Sequence, residues 1–202
     1  VSGSVGNAAA AYEPTTTTWA QVESGILAYG GELWAHSRTH ANPVAPATLY
    51  DEIVGSRADI EAAIPESRVH GFQFPGGPAT WGTNVDGTLM PTPDDYDTQE
   101  AGRLVRDYYA LHEGYLASSK RRALPTHGCA GLDHATIDTV TLATATGWVD
   151  EAIRHSGGLE VMTHAASVGA AGMISLADYT AFLDYLVTQR NAGKIEVLTA
   201  SG

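Results

Sequence analysis

The chain has 202 residues, 11 Lys and Arg against 23 Asp and Glu, and a formal net charge of −12. Its 44% hydrophobic and 17% charged residues are those of a folded domain, not a disordered one, and no apolar run reaches the ~18–20 residues of a membrane span. Scattered cations, with "KRR" at 120–122 the densest group, argue against a nucleic-acid partner.

The opening "VSGSVGN" reads as the end of a strand entering a loop, so we expect the chain to begin inside a domain. No basic stretch followed by an apolar core, the mark of a signal peptide, opens it. "TWAQVESGILAYGG" sets Trp19, Val22, Ile26 and Leu27 at helical spacing, with threonines ahead as caps and Gly30 or Gly31 as a stop. "ELWAH" follows as a short strand. "PATLYDEIVGSRADIEAAI" is helical, with Leu49, Ile53, Ile60 and Ile64 on one side and Pro46 near the first turn. "VHGFQF" is the next strand, and a loop rich in Gly, Pro and Asp spans 75–97.

"TQEAGRLVRDYYALHEGYL" has helical spacing through Leu104, Val105, Tyr108, Leu111 and Tyr115. "RRALPT" reads as a strand, "PTHGCAGLDH" as a loop and "GWVDEAIRHSGG" as a short helix closed by two glycines. "LEVMTH" is a strand, 175–191 a strongly periodic helix (Leu176, Tyr179, Phe182, Leu183, Leu186, Val187), and "KIEVLT" the last strand. Strands alternating with helices predict parallel pairing through right-handed crossovers. No repeat or linker divides the chain, so one domain over 1–202 is expected. One cysteine, Cys129, excludes an internal disulfide.

In parallel α/β folds, side chains at the carboxyl ends of strands build the site. His36 and His164 stand at such ends. His36 and His40, in "HSRTH", would share one side of a helical turn, and two imidazoles so placed can bind one cation. A catalytic zinc takes three protein ligands, so the pair is two-thirds of a site. The plainer alternative is that both rings hydrogen-bond loop backbone.

The ordered set "GGELWAHSRTH", "GFQFPGG", "LEVMTH" and "KIEVLTASG" resembles the polysaccharide deacetylase family of zinc-dependent carbohydrate de-N-acetylases, from Gly30 to Gly202. The resemblance implies an irregular, incomplete (β/α) barrel in an α/β chain. His36 and His40 become ligands of Zn2+ or another divalent transition metal, and His164 the catalytic acid. Pro75, Gly76 and Gly77 become part of the groove, with a backbone N–H for the oxyanion. Trp81 is a candidate stacking surface and His127 a candidate substrate contact. The implied activity is removal of acetyl groups, through C–N bond hydrolysis, from an acetylated cell-envelope or extracellular polysaccharide. The implied location is extracellular, at a cell envelope or on a virion.

The sequence departs from the family in three places. The strand with an Asp-Asp motif, which gives the family its general base and third zinc ligand, would fall before Val1. An upstream segment or companion chain is therefore the expected partner. Asp94–Asp95, in "PTPDDYDT", reads as a solvated turn. Gln73 stands where the family has an arginine, and it can donate a hydrogen bond but carries no charge. The family's tryptophan motif has no counterpart. These departures favour an alternative, a non-catalytic carbohydrate-binding or structural module on the same scaffold. A different metal-dependent amidohydrolase, with ligands at other strand ends, is a third reading. His70, His112 and His155 are expected to be structural, and Trp34 and Trp148 to pack.

Overall fold

The computed structural model describes residues 18–40, 46–75, 99–113 and 134–199. The chain divides into two compact units, one built on Val1–Leu116 and the other on Leu132–Ala200. Both are α/β, each with a small parallel sheet that does not close on itself among the described residues. No helix among those residues is long and apolar enough to cross a membrane.

In the first unit, α1 (Trp19–Gly25) begins at a capping box. The Thr18 hydroxyl accepts from the Gln21 N–H at 3.3 Å, and the Gln21 side chain accepts from the Thr18 N–H at 2.8 Å. A 3-10 turn, Leu27–Tyr29, ends at Gly30, whose φ of +79° favours a residue without a Cβ. Strand β1 (Trp34–Ala35) leads through the histidine loop to a 3-10 turn at Pro46–Thr48. A long helical stretch follows, π-helical over Asp51–Gly55 and α-helical over Ser56–Ala63, here α2. Strand β2 (Gly71–Gln73), helix α3 (Glu100–Tyr108) and strand β3 (Leu111–Glu113) follow among the described residues of this unit.

The sheet order is β1-β2-β3, all parallel, with Trp34 opposite Gly71 and Ala35 opposite Phe72. A Cβ on Gly71 would stand 2.2 Å from the Trp34 indole, so only glycine lets that ring lie across the strand. The core gathers Val22, Ile53, Ile60, Val69, Phe72, Phe74 and Val105, all buried. The Tyr109 hydroxyl, buried with them, donates to the Ile53 carbonyl of the π-helical segment at 2.5 Å.

In the second unit, β4 (His134–Thr136) pairs in parallel with β5 (Glu160–Met162), with Thr136 opposite Met162. The crossover is α4 (Leu142–His155), capped by Thr141. Helix α5 (Leu176–Asn191), capped by Ser175, packs on α4, and Phe182, Tyr179 and Leu186 share one core with Ala145, Val149 and Trp148. Burial fits the expected packing roles of Trp34 and Trp148.

Four expected elements differ. The helix read through Tyr115 stops at Tyr108, and Leu111–Glu113 is a strand. The Ala110 and Leu111 N–H groups both donate to the His70 carbonyl, which turns the chain into the sheet. The segment read as a loop ending at His134 contains strand β4 from that residue on. The segment 194–199, read as a strand, has no regular structure because no neighbouring strand pairs with it among the described residues. The helix before Gly157 is longer than expected, and Ser156, not glycine, takes the left-handed position at its end with φ +49°. "RRALPT" and Asp94–Asp95 lie outside the described residues.

Candidate functional site

Strand register explains each histidine's neighbour. One residue beyond the Ala35–Phe72 pair, His36 meets Gln73, and the His36 Nδ1–H donates to the Gln73 main-chain carbonyl at 2.9 Å. A carbonyl only accepts, so this bond places a proton on Nδ1; in the neutral ring the lone pair then sits on Nε2, the form in which an imidazole ligates a cation. A carbonyl accepting from the far ring nitrogen is the usual support of a metal-ligating histidine. The His40 ring stands with its centroid 4.9 Å from that of His36, the two planes inclined at 69°.

The pair does not lie on a helical turn. Ser37 has φ +62° and His40 φ +56°, so the chain kinks at both residues. Left-handed backbone costs about 1–2 kcal/mol per residue without glycine, and side chains hold the loop in that shape. The buried Ser37 hydroxyl accepts from the His40 N–H at 2.9 Å. Glu52, also buried, accepts from the N–H groups of Arg38 at 3.0 Å and Thr39 at 2.8 Å, and from the Thr39 hydroxyl at 2.5 Å. The Arg38 guanidinium donates to both oxygens of Asp59, at 2.8 and 3.1 Å, and to Asp51 at 2.5 Å. These bonds, Asp59 foremost, raise the Arg38 pKa further above its ordinary value.

The second unit repeats the logic with a charged partner. Two residues beyond the Thr136–Met162 pair stand Asp138 and His164. The His164 Nδ1–H donates to Asp138 Oδ2 at 2.5 Å, and the His164 N–H and Thr163 hydroxyl donate to Asp138 Oδ1 at 2.9 and 2.8 Å. Burial pushes the Asp138 carboxyl up, but the His164 ring, the His164 N–H and the Thr163 hydroxyl outweigh it, leaving its pKa below the ordinary aspartate value. The carboxylate is nearly covered, while the His164 side chain is 64% exposed and can meet a solute. Such an aspartate fixes the ring's tautomer and supplies the counter-charge of an imidazolium.

Gln73 and Pro75 are both buried at the end of β2. Gly76, Gly77, Trp81, His127 and Cys129 lie outside the described residues. Asp138 is a site residue that sequence reading missed. The available signal was "HATID", a short apolar run closing on a carboxylate. Glu52 gave no signal, since it looks like any helix surface residue. Among the described residues, no group of three or more His, Cys, Asp and Glu side chains is placed to hold a metal ion. A cavity of about 400 Å³ opens in the first unit beside Gly31, Leu33, Ile64 and Ser67. It lies at the amino ends of β1 and β2, away from the histidine pair. No family model, curated protein or solved structure matches the chain.

Proposed function

We propose that this chain carries the histidine machinery of a metal-dependent carbohydrate deacetylase on an incomplete (β/α) barrel. The substrate would be an acetylated extracellular or cell-envelope polysaccharide. The supporting observation is the pairing of His36, its Nδ1–H given to the Gln73 carbonyl, with the His40 ring 4.9 Å away. The donor set fits Zn2+ or another divalent transition metal, because imidazoles suit such ions. The pair would supply two of three protein ligands. Carboxylates outside the described residues, from an upstream segment or companion chain, would supply the third ligand and the general base. Zinc bound there would lower the pKa of a water and polarise the acetyl carbonyl.

The reaction is hydrolysis of an amide. Water oxygen bonds to the acetyl carbon, the C–N bond breaks, and acetate and a free amine leave. His164 would hand its Nε2 proton to the departing nitrogen, while Asp138 keeps Nδ1 oriented. The buried end of β2, Gln73 and Pro75, would border the groove.

The test is metal analysis of the folded protein with acetate release on a panel of acetylated glycans. His36→Ala should remove the stoichiometric metal, and full metal retention in that variant refutes the ligand assignment. Gln73, uncharged where a salt-bridging arginine would tune a base, favours a second reading, a non-catalytic carbohydrate-binding module. Glycan binding without acetate release in a metal-loaded protein would select it.

A further inference from the structure

We propose that Glu52 is the positioning residue of the histidine pair, its carboxylate setting the spacing of the His36 and His40 rings from the helix beneath them. The inference rests on the metal-site reading above for its purpose, though not for its geometry. A buried carboxylate is costly unless its lone pairs are met. Glu52 meets them with three donors from residues 38 and 39, the middle of the five-residue span between the two imidazoles. Among the described residues no cation pairs with it, so the loop's own N–H groups are its counterpart.

The helix is shaped for this grip. Its π-helical segment, Asp51–Gly55, carries Glu52, and an insertion of that kind re-aims the side chains on one face. Gly55 closes the segment. A Cβ there would stand 3.0 Å from Asp51 Oδ1 and 3.3 Å from Arg38 Nη1. The missing side chain therefore lets Arg38 cross the helix between Asp51 and Asp59. Glycine is a poor helix former, and this crossing accounts for its place. The loop is gripped twice, by Glu52 from within and by Arg38 from outside. The inner grip fixes the N–H groups on the path between the rings.

The experiment compares Glu52→Gln with Tyr109→Phe. The second variant removes a buried hydrogen bond to the same helix and controls for general loosening. Zn2+ alone is titrated into the whole folded chain against a chromophoric chelator, with His36→Ala defining the share of binding that belongs to the pair. Independently, NMR follows the His36–His40 ring-to-ring NOE and the exchange of the Arg38 and Thr39 amides. Glu52→Gln should weaken His36-dependent zinc binding by about 10–100-fold, the scale on which losing a group that orients metal ligands is felt. It should also abolish the NOE and speed exchange of both amides. Tyr109→Phe should change none of these.

If Glu52→Gln keeps the NOE and the zinc affinity of the wild type, or if Tyr109→Phe weakens them equally, the proposal is overturned. If the wild type binds no zinc through His36 while Glu52→Gln still loses the NOE, the positioning role stands and the metal reading fails.

Discussion

Each unit presents a histidine just past a parallel strand and anchors it to the neighbouring strand through Nδ1, but the anchors differ. His36 gives its proton to an uncharged carbonyl, and His164 gives it to a carboxylate. Topology alone accounts for the shared part, since in-register parallel strands bring residues beyond their carboxyl ends together. The chemistry lies in the partner. A carbonyl holds a proton on Nδ1, which in the neutral ring leaves Nε2 for ligation, whereas an ionised aspartate also provides the counter-charge for a protonated ring. The support differs as well: three donors on Glu52 and a forked Arg38 brace a kinked loop in the first unit, and one aspartate suffices in the second.

The largest test of this contrast is catalytic. His164→Ala should lower acetate release by about 10²–10⁴-fold with metal content unchanged, while His36→Ala should lose both. Equal metal loss in the two variants would erase the distinction between ligand and acid. Next come the two cores. Phe72→Ala should cost about 3–5 kcal/mol in the first unit and Phe182→Ala a similar amount in the second, read as separate shifts in denaturant unfolding followed by unit-specific probes. A single shared shift would show that the units unfold as one.

A smaller effect is acid sensitivity. The native pKa of Asp138 is depressed, so its contribution is complete above the unfolded aspartate value of about 3.9. It is lost as pH falls through the lower native value. Asp138→Asn should flatten the acid limb of the stability profile, and an unchanged limb would disconnect the aspartate from its donors. The smallest effect is Thr18→Ala, which should cost about 1 kcal/mol through loss of the cap, measured by thermal melting.

Much of the helical framework was legible because caps and apolar spacing are local. Thr18 caps α1 as the threonines' position suggests, and Leu49, Ile53, Ile60 and Ile64 are all buried. Strands β1, β2 and β5 sit in short apolar runs that read as strands, whereas β3 ("LHE") and β4 ("HAT") hold too few apolar residues to stand out from a helical spacing and a loop. The apolar stripe of α5 misled in another way. Phe182 is buried, but Leu176, Leu183 and Val187 of the same stripe are exposed, since periodicity marks a face without saying how much of it finds a neighbour. Asp138 stayed hidden because its partner is 26 positions away.

The alternation of strands with helices therefore determined that this is an α/β chain with parallel strands, and the histidines at strand ends determined where its imidazoles stand. Only tertiary structure decided what each imidazole touches. Hydrogen-bond partners are set by strand register and by a kinked loop held from a distant helix. Those are long-range facts that a five-residue motif such as "HSRTH" does not contain.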